Sequence, residues 1–368
     1  MATVRPSRVL IVDDSAIVRT MLSNVLKSEP DLEVVGVAGD PFAARELIAA
    51  TKPDVITLDI EMPKMDGLTF LRQLMVEHPL PVIIVSSVTQ TGSAASIEAL
   101  SAGAIDVIAK PGGPYSVADL ADQLRYRIRA LRTGRAVHLS RLRRPAAIRP
   151  ATPSLAHAHG LILIGASTGG TQAIEGLLTK LPADAPPIVI VQHMPAHFTR
   201  AFAARLDRAA AMRVVEAEHH APLLRGVAYI APGDSHLLVA VRGGELRALI
   251  DQGPRVHYQR PSVDVLFQSA AALTGVPMVA LLLTGMGTDG ADGMVALREV
   301  GATTIAEDAR SCVVFGMPAA AIEKGGATHV APRGAMPRLI TEALTPRRPR
   351  LNAVQTADRS RPVFRLHP

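Results

Sequence analysis

Short unbroken apolar runs alternate along the chain with stretches whose apolar residues recur at helical spacing, and the pattern is played out twice. The first run, Arg8-Val-Leu-Ile-Val, is apolar to its end at Asp13-Asp14-Ser15. Such a run reads as a parallel strand covered on both faces, because a half-exposed strand would alternate with polar residues. Ile17, Met21, Leu22 and Val25 then predict a helix over Ala16–Leu26. Strands at 32–38, 54–59, 81–87 and 106–110 follow, with helices at 41–50, 67–77, 93–101 and 117–131 between and after them. After Gly160 a second alternation begins with Leu161-Ile-Leu-Ile, a glycine turn and a helix from Thr171. Further strands are predicted at 188–192, 226–231, 236–241, 277–283 and 301–308, then a helix at 318–324 and a short strand near Thr328. Alternation of this kind predicts two α/β domains, each a doubly wound, mostly parallel sheet.

Composition alters this picture little. The 368 residues suffice for two domains, and 48% apolar content fills their cores. One cysteine, Cys312, excludes an internal disulfide, and it reads as an inert buried thiol. No apolar run is long enough to span a bilayer, and the first residues carry no secretory apolar region. A cytoplasmic protein without membrane insertion is expected.

Charge is distributed unevenly. Nine arginines and no acid lie between 125 and 149; six arginines and one aspartate lie from 345 onward. The net charge is only +6, so the rest of the chain is acidic. Basic character therefore reads as belonging to a linker and a tail rather than to a folded face, which argues against a nucleic-acid partner. The expected domains are 1–132 and 160–344. A flexible Arg/Pro-rich connector over 133–159 joins them, and a disordered basic tail covers 345–368. His157 and His159 in the connector lack nearby acids or cysteine, so no metal is assigned to them.

In a doubly wound sheet, chemistry collects where strands end. Asp13, Asp14, Asp59, Ser86 and Lys110 all stand at such ends. One strand-end acid commonly does no more than cap a helix. Three together repel unless a hard divalent cation such as Mg²⁺ offsets them, and a lysine and a hydroxyl opposite suit phosphoryl oxygens. With Asp59-Ile-Glu-Met-Pro-Lys-Met-Asp-Gly67 and Lys110-Pro111, the segment 7–132 resembles a response-regulator receiver domain, a flavodoxin-like fold. The resemblance implies that Asp59 accepts phosphate from a histidine kinase. It also implies Mg²⁺ binding by Asp13, Asp14, Asp59 and the Glu61 backbone carbonyl, and phosphoryl sensing by Ser86 and Lys110, with small Ser87 alongside. One position departs from the pattern: Val107 stands three residues before the lysine, where many receivers carry an aromatic switch residue.

The second half places Ser167 in Gly165-Ala-Ser-Thr-Gly169, between a buried strand and a helix. That context exposes a serine at a strand end, although a glycine turn there can also cradle phosphate. His193 and Asp289 end two other buried strands. An imidazole that takes the serine proton and a carboxylate that orients it make the serine a nucleophile. Backbone N–H groups after Ser167, Thr168 foremost, and in Gly285-Met286-Gly287 would meet an oxyanion. Asp292 is the second choice of acid. His193 and His197 have i,i+4 spacing but no intervening glutamate, so zinc is disfavoured. His219, His220, His236 and His257 read as surface or loop residues. The order serine, histidine, acid also argues against an ordinary α/β-hydrolase, whose order is serine, acid, histidine.

Several strings in 160–344 carry a second resemblance: Ile164-Gly-Ala-Ser-Thr-Gly-Gly, Gln192-His-Met-Pro, Arg260-Pro-Ser-Val-Asp-Val-Leu-Phe, Leu283-Thr-Gly-Met-Gly-Thr-Asp-Gly and Val314-Phe-Gly-Met-Pro. They resemble the Rossmann-like catalytic domain of the chemotaxis protein-glutamate methylesterase family. The resemblance implies demethylation of γ-glutamyl methyl esters and deamidation of glutamines on chemoreceptor helices, without a cofactor in this domain. Ser167 would be the nucleophile, His193 the base, Asp289 the orienting acid and Met286 an oxyanion contributor. The rival expectation is a receiver-controlled binding module without catalysis.

Overall fold

The computed structural model describes residues 5–87, 89–111, 116–133, 155 and 158–345. The tail and nearly all of the connector lie outside the described residues, as does His157.

Five strands and five helices alternate first: β1 Ser7–Val12, α1 Ala16–Lys27, β2 Leu32–Ala38, α2 Pro41–Thr51, β3 Val55–Leu58, α3 Gly67–Glu77, β4 Val82–Ser86, α4 Gln90–Ala102, β5 Asp106–Ala109 and α5 Val117–Thr133. The strands form one parallel sheet in the order β2-β1-β3-β4-β5. Side chains of β1, β3 and β4 are buried almost throughout because helices cover both faces, which is why those runs show no alternation. Polar side chains start several helices: Ser15, Asp40 and Asp66 accept N–H groups of the first turns of α1, α2 and α3.

The second domain runs β6 Leu161–Ala166, α6 Gly170–Leu178, β7 Ile188–Gln192, α7 Phe198–Ala209, β8 Arg213–Glu216, β9 Val227–Ile230, β10 His236–Arg242, β11 Glu245–Asp251, α8 Val263–Ala271, β12 Met278–Leu282, α9 Ala291–Glu299, β13 Thr303–Glu307, α10 Met317–Glu323, β14 His329–Ala331 and α11 Met336–Leu344. Seven strands form a parallel sheet in the order β14-β13-β12-β6-β7-β9-β8. Both domains are therefore parallel α/β sheets, the second with an added hairpin.

Three sequence expectations change here. The run at 236–241 leaves the main sheet and pairs antiparallel with β11 as a separate hairpin packed on α8. His236 is buried rather than superficial: its Nδ1 accepts the Ser262 N–H, and its Nε2 lies 2.9 Å from the Pro254 carbonyl. The basic stretch is partly folded surface after all. Arg125, Arg127 and Arg129 belong to α5 and pair with Glu29, Asp106 and Asp31 of the same domain.

The two domains are packed together. Leu100, Ala104, Phe202 and Leu206 share one buried cluster where α4 meets α6 and α7, and Ile105 and Ala130 share another with Val313 and Val314.

Candidate active site

β6, β7 and β12 are neighbours at the centre of the seven-stranded sheet. Ser167 follows β6, His193 follows β7, and Asp289 follows β12 by a loop, so three residues far apart in sequence converge at one sheet edge. The Ser167 N–H bonds the Thr284 carbonyl and its own carbonyl accepts from Gly170, which pins the turn on both sides. Gly285 lies against it, since a Cβ there would stand 2.8 Å from Ser167 Cβ and 2.3 Å from Met317 Sδ. Only a glycine lets the 285–287 loop approach the serine so closely.

His193 Nε2 lies 2.7 Å from Asp289 Oδ2. Asp289 also accepts the Ser262 hydroxyl and the N–H groups of Val263 and Asp264. Burial alone would raise its pKa. The hydrogen bond and charge of His193, with the Asp264 N–H and Ser262 hydroxyl, outweigh burial and hold the carboxyl below the ordinary aspartate value. An ionised Asp289 fixes the imidazole hydrogen on Nε2 and leaves a lone pair on Nδ1. That Nδ1 is buried without a hydrogen-bond partner, so the bond to Ser167 is not made in this arrangement. Ser167, His193 and Asp289 are 5%, 4% and 2% exposed, closed to solvent. Among the described residues neither the Thr168 nor the Met286 N–H has a hydrogen-bond acceptor.

Asp292 is exposed and paired with Lys324, away from the imidazole, so Asp289 is the acid this geometry selects. His197 is exposed at the start of α7. The Cys312 thiol is only partly buried, and desolvation, with the nearby Glu307 charge, pushes its pKa far up, consistent with an unreactive thiol. Sequence reasoning passed over Ser262 and Gln192. Gln192 donates to the Ser167 and His193 carbonyls, fixing nucleophile and base relative to each other. Both residues sat within strings already marked at 192–195 and 260–267; their polarity beside apolar neighbours was the available signal.

At the receiver sheet edge, Asp13, Asp14 and Asp59 bring carboxylate oxygens within 4.8 Å of one another. Lys110 Nζ lies 2.7 Å from Asp59 and 2.8 Å from Asp13. Burial raises the Asp59 pKa, and Asp13 adds to the effect against the pull of Lys110. For Lys110 burial opposes the charge, but the bonds to Asp13 and Asp59 win and its pKa is raised. Three hard oxygen donors with a surplus of negative charge fit Mg²⁺. The Glu61 N–H faces Asp59 Oδ1 at 3.3 Å, and the Ser86 hydroxyl is buried without a hydrogen-bond partner. Val107 is buried in the core on β5, in register with Ile84 of β4.

The protein-family model of the CheB methylesterase matches residues 162–340, and that of the response regulator receiver domain matches residues 9–122. A protein-glutamate methylesterase/protein-glutamine glutaminase of Thiobacillus denitrificans is 49% identical over 341 residues, 91% of this chain and 96% of its own length. One from Geobacter metallireducens is 48% identical over 344 residues, 91% of this chain and 95% of its own. The chain belongs to the protein-glutamate methylesterase/protein-glutamine glutaminase family. A crystal structure of the Thermotoga maritima CheB methylesterase catalytic domain is 40% identical, with a TM-score of 0.49, covering 50% of this chain and 98% of that one. In this member of the methylesterase family the receiver touches the serine turn directly. Thr168 Oγ1 donates to Asp106 Oδ2 at 3.0 Å, the Gly169 N–H reaches the Ile105 carbonyl, and Gln172 Nε2 donates to the Leu100 and Ala104 carbonyls. The Tyr126 hydroxyl of α5 donates to the Met286 carbonyl at 2.7 Å. Its own pKa is pushed up to about 12 by burial. No described helix is long and apolar enough to cross a membrane.

Proposed function

We propose that this chain is a phosphorylation-controlled serine hydrolase that cleaves γ-glutamyl methyl esters, and deamidates glutamines, on chemoreceptor helices. The relatives' names supply the reaction. The observation that carries the mechanism is the His193–Asp289 pair, with a free, buried imidazole nitrogen at the sheet edge that holds Ser167. Ser167 Oγ attacks the ester carbonyl as His193 Nδ1 takes its proton. The carbonyl oxygen becomes an oxyanion that accepts the Thr168 and Met286 N–H groups. His193 then gives the proton to the departing methoxide, methanol leaves, and the acyl-enzyme remains. Water attacks next with His193 again as base, which frees Ser167 and a glutamate carboxylate. Asp289 stays ionised throughout and stabilises the imidazolium.

Residues 1–132 form the control domain and 160–344 the catalytic domain in this reading, with 133–159 joining them. Asp59 takes a phosphoryl group from a histidine kinase. Asp13, Asp14, Asp59 and the Glu61 carbonyl would hold Mg²⁺, which supplies positive charge to offset the carboxylates and the incoming phosphoryl oxygens. Lys110 and Ser86 bind the phosphoryl group. The contacts of Asp106, Ile105 and Tyr126 with the serine turn and the Met286 loop belong to the inactive arrangement, and phosphorylation shifts the population to one in which they part. A cytoplasmic location and the absence of a nucleic-acid partner accompany this reading.

The test is methanol release from methylated receptor by the full chain with Mg²⁺ and a small phosphodonor. Ser167→Ala should lower turnover by at least about 10³-fold. Undiminished release by that variant would overturn the assignment.

A further inference from the structure

Helix α5 does more than cover the site. Asp119, Asp122, Gln123 and Tyr126 fall at i, i+3, i+4 and i+7, one face of the helix, and line a cavity of about 510 Å³. The opposite wall includes His193, Arg255, His257 and Arg260 of the catalytic domain. The two arginines are held differently. Arg260 is committed, with two bonds to Asp234 and two to the Gln252 and Gly253 carbonyls. Arg255 is half exposed, and Asp234 is 3.9 Å away. Its loop stands proud of the fold: Tyr258 is 93% exposed, and His257 and Tyr258 both have positive φ. The Asp119 carboxylate accepts the N–H and hydroxyl of Ser116, which lower its pKa, and it lines the cavity together with Arg255, whose charge lowers it further.

The chemistry of the two walls matches that of the reaction. Each turnover on the proposed substrate leaves a glutamate carboxylate on a helix, and a glutamine there is an alternative substrate. Helix α5 offers such groups to the same cavity, two carboxylates and, at Gln123, a side-chain carboxamide, alongside Tyr126 and an Arg127 already paired with Asp106. Arg255, a cation in the cavity that His193 also lines and with its own domain's Asp234 no closer than 3.9 Å, suits an acidic helix by charge complementarity.

We propose that Arg255 is the specificity residue that grips a carboxylate on the substrate helix, and that α5 occupies this groove as a mimic of that helix, with Asp119 in the place of the substrate carboxylate. The inference rests on the hydrolase reading above and adds to it the residue that selects an acidic helical substrate.

Full-length protein is compared with Arg255→Glu, Asp119→Lys and the double charge swap, with and without Mg²⁺ and beryllofluoride. The substrates are a methylated receptor fragment and a small uncharged ester. Arg255→Glu should raise turnover of the small ester by the untreated protein, because α5 is released. In the beryllofluoride form it should cut selectivity for receptor over small ester about tenfold, through KM. Asp119→Lys should also raise untreated turnover but leave the receptor KM at the wild-type value. The swap should restore inhibition without restoring selectivity, a result that misfolding of either single variant would not give. A wild-type receptor KM in Arg255→Glu would overturn the proposal and leave Arg255 as a domain contact. An equal KM rise in Asp119→Lys would overturn the mimicry. If wild type hydrolyses neither substrate, the hydrolase reading falls. Fluorescence anisotropy of labelled receptor fragment then tests Arg255 by itself: weaker binding by Arg255→Glu supports its role, and equal binding overturns it.

Discussion

Asp289 and Asp59 are both buried aspartates at strand ends, yet their surroundings push them in opposite directions. Asp289 has four donors and stays ionised below its ordinary pKa; Asp59 has a lysine shared with Asp13 and a longer bond from the Glu61 N–H, and burial raises it. The difference suits their proposed tasks, one a fixed counter-charge for an imidazolium, the other a carboxylate short of positive charge until a cation arrives. It also makes a prediction with a definite sign. The folded Asp59 pKa lies above its unfolded value, so its buried charge destabilises the fold at neutral pH, and the cost disappears as pH falls through the folded pKa. In metal-free buffer Asp59→Asn should therefore be the more stable protein at pH 7. Its advantage should shrink as the buffer is acidified through the folded pKa of Asp59, and excess Mg²⁺ at pH 7 should shrink it as well. Thermal unfolding across pH tests this; an advantage that grows on acidification would contradict the raised pKa.

At the scale of elements, each site depends on where a strand stops and a helix begins. Helix α3 starts at Gly67, whose missing side chain lets it approach β3: a Cβ there would stand 2.0 Å from the Asp59 carbonyl oxygen and 2.8 Å from Ile60 Cα. Both are backbone atoms that cannot turn aside. Gly67→Ala should destabilise the receiver by about 1–3 kcal/mol, the usual cost of overpacking, and lower its Tm by roughly 4–8 °C per kcal/mol. Calorimetry of the full chain reads it, and an unshifted receiver transition would show that the turn yields more readily than its contacts imply. The catalytic counterpart is the three-strand set β12-β6-β7. It brings serine, histidine and acid together in a chain order different from that of α/β-hydrolases because the acid comes from a late strand inserted beside the first one.

At the scale of the molecule, the proposed inhibition would be a free-energy difference between docked and undocked receiver, built from the α4–α7 apolar contact and a few hydrogen bonds at the serine turn. Tyr126→Phe removes one of these bonds and no apolar area. A bond of this kind contributes about 1 kcal/mol, so unphosphorylated activity should rise roughly fivefold and the ratio of activated to basal rate should fall. Initial rates on methylated receptor with and without phosphodonor test this. Unchanged basal turnover would place the control of docking elsewhere, in the apolar contact or the Asp106–Thr168 bond.

The residues alone determined what depends on short-range pattern. Unbroken apolar runs marked strands buried on both faces, the polar residues that ended them marked Asp13, Asp59, Lys110, Ser167 and His193, and the glycine-rich loop after one such run marked Asp289. What depends on which faces meet was decided only by the tertiary structure. His236 looks like any strand residue until the β10–β11 hairpin folds onto α8 and buries it beside Ser262. The arginines of 125–129 fall in a helix the sequence predicts, yet their charge counts with the basic linker until α5 packs and pairs them with Glu29, Asp106 and Asp31. Tyr126 and Asp106 carry no local signal for their bonds to Met286 and Thr168, because those partners lie in the other domain, and the cavity that Arg255 lines has walls from both domains. Hydrophobic period is a property of neighbours in sequence and survives without the fold. Pairing across a domain interface has no such period, and only the packed chain brings the partners together.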